Sequence, residues 1–147
     1  MSESDRNACI VKRLREMLLR QRERFRSYLA ILEAQERDIV VGDAEKLLVH
    51  VELEQEVIAE IFTLRKVISP LEGLYQAAYP VPEHLIPPLA LTLEKMGTQV
   101  LERHARNKAL LKLSVEALRE EIGSLRSWPR AASPFAEVVP SLVDITT

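Results

Sequence analysis

Cysteine is almost missing from this chain: Cys9 stands alone in 147 residues, so no disulfide can form within it. Glycine is also scarce, at four, and none of the four sits in a Gly-rich loop of the kind that cradles phosphate. The three histidines, His50, His84 and His104, lie far apart, and no Glu-x-x-His pair accompanies them, which excludes the di-iron pattern of helical bundles. Nor is there a surplus of positive charge. With 20 Lys and Arg against 22 Asp and Glu, the net charge is -2, which speaks against non-specific binding of nucleic acid or anionic membrane as the main activity. Long apolar runs are absent too: the stretch Leu85 to Leu93 is broken by Pro87 and Pro88 and falls short of the roughly 20 residues a membrane helix needs. The start, Met1-Ser2-Glu3-Ser4-Asp5, lacks the basic-then-apolar order of a secretory signal. These absences lead to the expectation of a cytoplasmic protein with no cofactor, no metal and no catalytic residue.

What the chain does have is 47% hydrophobic and 29% charged residues, a folded composition, arranged with helical period. Val11, Leu18, Phe25, Leu32 and Ile39 recur every seven residues, with Leu14 and Tyr28 interleaved and Gln21 and Gln35 interrupting the second column. This predicts a first helix over about 5–40, packed along a partner helix. Gly42-Asp43 breaks it, the glycine suited to ending a helix and the aspartate to starting the next, with Glu45 in the first turn. A second helix is expected over 44–69, with Leu47, Leu48, Val51, Ile58, Ile61, Phe62, Leu64 and Ile68 on its apolar face and Pro70 as its stop. Folding back about Val41 and Gly42 makes an antiparallel hairpin that brings Arg24 and Arg26 near Glu60 and Glu56.

Residues 70–88 hold Gly73, Pro70, Pro80, Pro82, Pro87 and Pro88 and read as a linker that packs across one end of the hairpin. A third helix is expected over 89–127, carrying Leu93, Met96, Val100, Asn107, Leu111, Val115, Leu118, Ile122 and Leu125 on one face. Gly97 and Gly123 inside it point to fraying or to the close approach of another backbone. Trp128-Pro129 closes this helix, and 130–147, with Pro134 and Pro140 and no helical period, reads as a flexible, extended tail. The fold class is therefore all-α, an elongated, coiled-coil-like three-helix bundle forming one domain over 1–129.

The Gly-Asp break, a third long helix carrying Arg106-Asn107-Lys108-Ala109-Leu110-Leu111, and a tail ending Ser141-Leu142-Val143-Asp144 resemble the FlgN family of flagellar export chaperones. The likeness covers most of the chain. Family members often have a second Asn three residues before the first, and here that position is His104. The resemblance implies a cytosolic chaperone of the flagellar type III secretion system. It would bind the C-terminal helical region of hook-associated (hook-filament junction) proteins, prevent their premature assembly, and deliver them to the export gate or its ATPase complex. In that family the third helix bears the cargo surface, which makes Val100, Asn107, Leu110, Leu111, Val115 and Leu118 the expected cargo-binding residues. Phe135 in the tail is the expected docking residue for the gate. The same apolar face has a plainer reading as a cover for the hairpin, and Asn107 as a register-setting polar residue.

Among the other charged residues, Glu52, Glu54 and Glu56 alternate, so a helix spreads them around its cylinder and they read as a solvated face rather than a catalytic pair. The Arg-rich start of the first helix is diluted by Glu16, Glu23 and the acidic second helix, so no nucleic-acid partner is expected. A second function class uses the same heptads differently: a structural coiled-coil subunit or tether would form a permanent oligomer, whereas a chaperone would be a monomer or weak homodimer that exchanges cargo.

Overall fold

A computed structural model describes residues 2–126 as three long α-helices: α1 (Glu3–Val41), α2 (Ala44–Ala78) and α3 (Ile86–Arg126). Ser127, Trp128 and Pro129, expected to close α3, and the tail over 130–147 with Phe135, expected to dock at the gate, lie outside the described residues. At about 1.5 Å rise per residue each helix is on the order of 50–60 Å long.

Helix α1 starts two residues earlier than its spacing suggests because Ser2 and Asp5 form a capping box. The Asp5 N–H donates to Ser2 Oγ at 3.2 Å and the Ser2 N–H donates to Asp5 Oδ2 at 3.3 Å. It ends where expected. Gly42 adopts φ 83°, a left-handed conformation that costs a Cβ-bearing residue more, and its N–H donates to the Asp38 carbonyl at 2.8 Å. Asp43 then caps α2 by accepting from the Lys46 N–H at 3.1 Å.

The expected stop at Pro70 is incorrect, and α2 runs through it to Ala78. An interior proline forfeits one backbone bond and crowds the preceding turn, at a cost of about 3 kcal/mol. Here the ring lies on the exposed face, and the next turn offsets the loss by packing half-buried Leu71 and buried Tyr75 against the α1 core. The linker accordingly shrinks from 70–88 to 79–85, and α3 begins at Ile86 rather than 89, with Pro87 and Pro88 in its first turn, where no N–H is required.

Both α2 and α3 pack on α1. The heptads of α1 supply buried Val11, Leu14, Leu18, Tyr28, Leu32 and Ile39. One cluster joins Val11, Leu14, Met17 and Leu18 to Ile68 and Tyr75 of α2 and to Ile86 and Leu89 of α3, and a second joins Tyr28 and Leu32 to Val57 and Val100. Because Leu14 and Ile86 share one cluster while Leu32 and Val100 share the other, α3 runs parallel to α1 and antiparallel to α2. The predicted hairpin pairing holds for Arg24 and Glu60, at 2.6 Å, but Arg26 turns instead to Glu23 of its own helix, at 2.7 Å, and not to Glu56. Three residues along a helix is within easy reach of a flexible side chain.

The internal glycines of α3 mark no backbone contact, since a Cβ at Gly97 or Gly123 would meet nothing within 4 Å, and the same holds for Gly73. Replacing Gly73 and Gly123 by Ala is therefore expected to stabilise the protein by about 0.5–1 kcal/mol each. The double variant should melt a few degrees higher by circular dichroism. An unchanged or lower midpoint would mean that these positions are packed against something.

Candidate functional site

Two features set this bundle apart from a plain coiled coil: a polar layer in its interior and an open seam on one side. The polar layer lies toward the α1–α2 turn. Gln35 of α1, buried at 5%, donates from Nε2 to Glu54 Oε2 of α2 at 3.2 Å and to the His50 carbonyl at 3.4 Å. From α3, His104 Nδ1 lies 3.5 Å from Glu54 Oε1, and Asn107 Nδ2 donates to the Leu32 carbonyl at 2.8 Å. His50 bonds through Nδ1 to buried Asp38. On the outer rim, Arg103 pairs with Glu33 at 3.3 Å and Arg106 with Glu36 at 3.2 Å, which ties α3 to α1 at this level.

This arrangement corrects one reading of the sequence. Glu54 is not part of a solvated acidic face: it is 6% exposed, whereas Glu52 and Glu56 are exposed. The signal for it was present, since Leu47, Glu54, Ile61, Ile68 and Tyr75 form a strict seven-residue column in which the carboxylate replaces one apolar core residue. Burial, and after it the Glu54 charge, pushes the Tyr28 hydroxyl up to about 12. A second carboxylate organises the other end of the bundle. Glu83 accepts from the Ile86 and Leu85 N–H groups, each at 2.7 Å, and from the Tyr75 hydroxyl at 3.0 Å. Burial alone would raise the Glu83 pKa, but these bonds, with His84 nearby, outweigh it and hold the group below its usual value.

Apart from the Glu54–His104 contact, the seam between α2 and α3 stays open, and in the described residues no Cα of α2 comes within 8 Å of a Cα of α3. Two apolar grooves lie along it. The upper one, beside the α1–α2 turn, measures about 500 Å³ and is lined by Ile39, Leu47, Leu111, Val115, Leu118 and Ile122, with Asp38, Asp43 and Arg119 at its edges. The lower one, about 620 Å³, has Leu14, Leu18 and Phe25 on its floor, Phe62 on its α2 wall, and Ala90 and Leu93 on its α3 wall.

The six expected cargo residues divide between these environments. Val100 is 6% exposed in the core against Tyr28 and Leu32, and Asn107 is 5% exposed and bonded to α1, so both hold α3 in place and neither offers surface to a partner. Leu111, Val115 and Leu118 come together in the upper groove, with Leu118 39% exposed. Leu110 is half-buried one residue away. Periodicity placed five of the six, all but Leu110, on one helix face, but not where that face leaves the hairpin. Among the described residues no three acids, histidines or cysteines converge as metal ligands, and no helix is long and apolar enough to cross a membrane.

Compared with known proteins, the chain is 35% identical over 126 residues to an uncharacterized protein of Treponema pallidum (strain Nichols), an alignment covering 85% of this chain and 80% of that one. No protein-family profile matches it. No solved structure matches it.

Proposed function

For this chain, which belongs to one family with the Treponema pallidum protein, we propose the function of a flagellar type III export chaperone. In this reading it resides in the cytoplasm, binds the C-terminal helical region of a hook-filament junction protein, keeps that region from assembling early, and hands it to the export gate. The observation that carries the proposal is the upper groove, an apolar trough between helices whose walls are Leu111, Val115 and Leu118 on one side and Ile39 and Leu47 on the other. A trough of this kind suits an amphipathic helix, whose apolar stripe needs cover until it reaches its assembly site. Leu111, Val115 and Leu118 are its cargo residues, with half-buried Leu110 beside them, while Val100 and Asn107 position α3.

The test is calorimetric titration with C-terminal segments of the same organism's hook-filament junction proteins, with the oligomeric state followed by light scattering. Saturable one-to-one binding to a monomer or weak dimer is expected. The Leu118→Glu variant, alone and combined with Leu111→Glu, should lose that binding while keeping its helicity. The single variant guards against unfolding, because Leu118 is already partly exposed. Silence with every segment, together with a constitutive oligomer, would replace the chaperone with a structural coiled coil.

A further inference from the structure

The lower cleft carries features that the chaperone reading does not use. Residues Leu48, Gln55, Phe62, Ser69 and Gln76 of α2 each follow the core column by one residue, so they form a parallel column about 42 Å long, of which Phe62 and Gln76 line the lower cleft. All five are exposed and none is charged, with Phe62 at 66% and Leu48 at 61%. Counting along the antiparallel helices from His104 opposite Glu54 sets Gly97 level with Ile61, one residue from Phe62, and Ala90 level with Ile68, one residue from Ser69. The α3 wall is thus cut back to small residues where the α2 wall projects, and a Cβ at Gly97 would meet nothing within 4 Å. On the cleft floor, Gln21 is 6% exposed and its Oε1 has no hydrogen-bond partner. It sits in the same column as Gln35, whose amide is satisfied by Glu54. Leaving such an acceptor unpaired costs about 1–3 kcal/mol.

The rims are patterned as well. Helix α1 makes ion pairs across both of its seams, to Glu60 of α2 and to Arg103 and Arg106 of α3. Along the open seam, Lys66 of α2 and Glu94 of α3 stand two residues from level, as do Glu52 of α2 and Lys108 of α3, and none of these four is ion-paired among the described residues. The charges therefore change sides from one end of the cleft to the other.

We propose that this cleft seats a fourth helix supplied by a partner protein, completing a four-helix bundle. The helix is amphipathic, with apolar residues at seven-residue spacing and one side-chain donor among them for Gln21 Oε1. At the Phe62 end its flanks are acidic toward Lys66 and basic toward Glu94, and at the Leu48 end they are reversed. The proposal rests on the chaperone reading for the partner's identity but not for the existence of the site.

The probe is a designed, labelled peptide of about four heptads with that pattern, set against a peptide of identical composition whose flanks are exchanged. By fluorescence anisotropy the matched peptide should bind about tenfold more tightly than the exchanged one. Gly97→Phe, which adds a bulky side chain on α3 one residue from level with Phe62, should abolish that binding, whereas Gly97→Ala should keep it, with helicity unchanged in both. Equal binding of the two peptides, binding of neither, or indifference to Gly97→Phe overturns the proposal. Competition separates the two readings. Displacement of the peptide by a junction-protein segment supports both, and a segment that binds without displacing it removes cargo from this cleft. A cleft that takes the peptide while no segment binds stands without the chaperone.

Discussion

Replacing Leu32 by Ala is expected to destabilise the protein by about 3–4 kcal/mol. Leu32 is 1% exposed and packs where all three helices meet, against Tyr28 on its own helix, Val57 of α2 and Val100 of α3. Removing its branched end costs both the transfer free energy and the cavity left behind. Helices held from two sides, with the Gln35 layer immediately above, have little freedom to collapse into that space. Denaturant unfolding should show a lower midpoint with an unchanged slope. Leu113→Ala, at a position 62% exposed, should fall within about 0.5 kcal/mol of the parent and serves as the control. A loss below about 1 kcal/mol at Leu32 would mean that α3 does not close over this position in solution.

A second large effect is expected in the polar layer, with a sign that depends on how many partners are changed. Gln35→Leu takes the amide donor from the Glu54 carboxylate and leaves it only His104, at 3.5 Å on a ring whose side chain is 53% exposed. A buried carboxylate deprived of its donor should cost about 2–3 kcal/mol. Changing Glu54 to Leu at the same time makes the column from Leu47 to Tyr75 apolar throughout, and the double variant should return to the parent's stability or exceed it. The cycle of four proteins then gives a coupling of about 2–3 kcal/mol. Stability recovered this way should come with a loss of specificity. Asn107, Gln35 and Glu54 set which residues can face one another, and without two of them the α1–α2 register is less constrained. Light scattering should therefore find mixed oligomers in the double variant. An additive cycle would show that Gln35 and Glu54 do not meet in solution.

Much of the fold was legible in the spacing of the residues. The seven-residue columns of α1 marked its buried face, Gly42-Asp43 marked the turn, and the Arg24–Glu60 pair followed from folding the hairpin about that turn. Pro70 misled because the local rule for proline concerns one lost bond and one crowded turn. What decided the matter was the burial of Tyr75 a turn later. Glu54 misled for the opposite reason, since its neighbours Glu52 and Glu56 suggested a solvated stretch while its own column placed it in the core. The candidate site was half visible. Leu111, Val115 and Leu118 do gather at a groove, but Val100 and Asn107, on the same face, are spent on holding α3 to α1.

Spacing along the chain sufficed for three long helices, the Gly42-Asp43 turn and the buried stripe of α1, because these depend on residues a few positions apart. It did not suffice for the face of α2, where Leu48 and Phe62, expected to pack, are exposed. Packing between the helices set α3 parallel to α1, left most of the α2–α3 seam open, and gathered Gln35, Glu54, His104 and Asn107 in one layer. Those outcomes depend on which of several apolar faces wins the surface of α1. That competition is settled by packing between residues far apart in sequence, such as Leu14 with Ile86 and Leu32 with Val100.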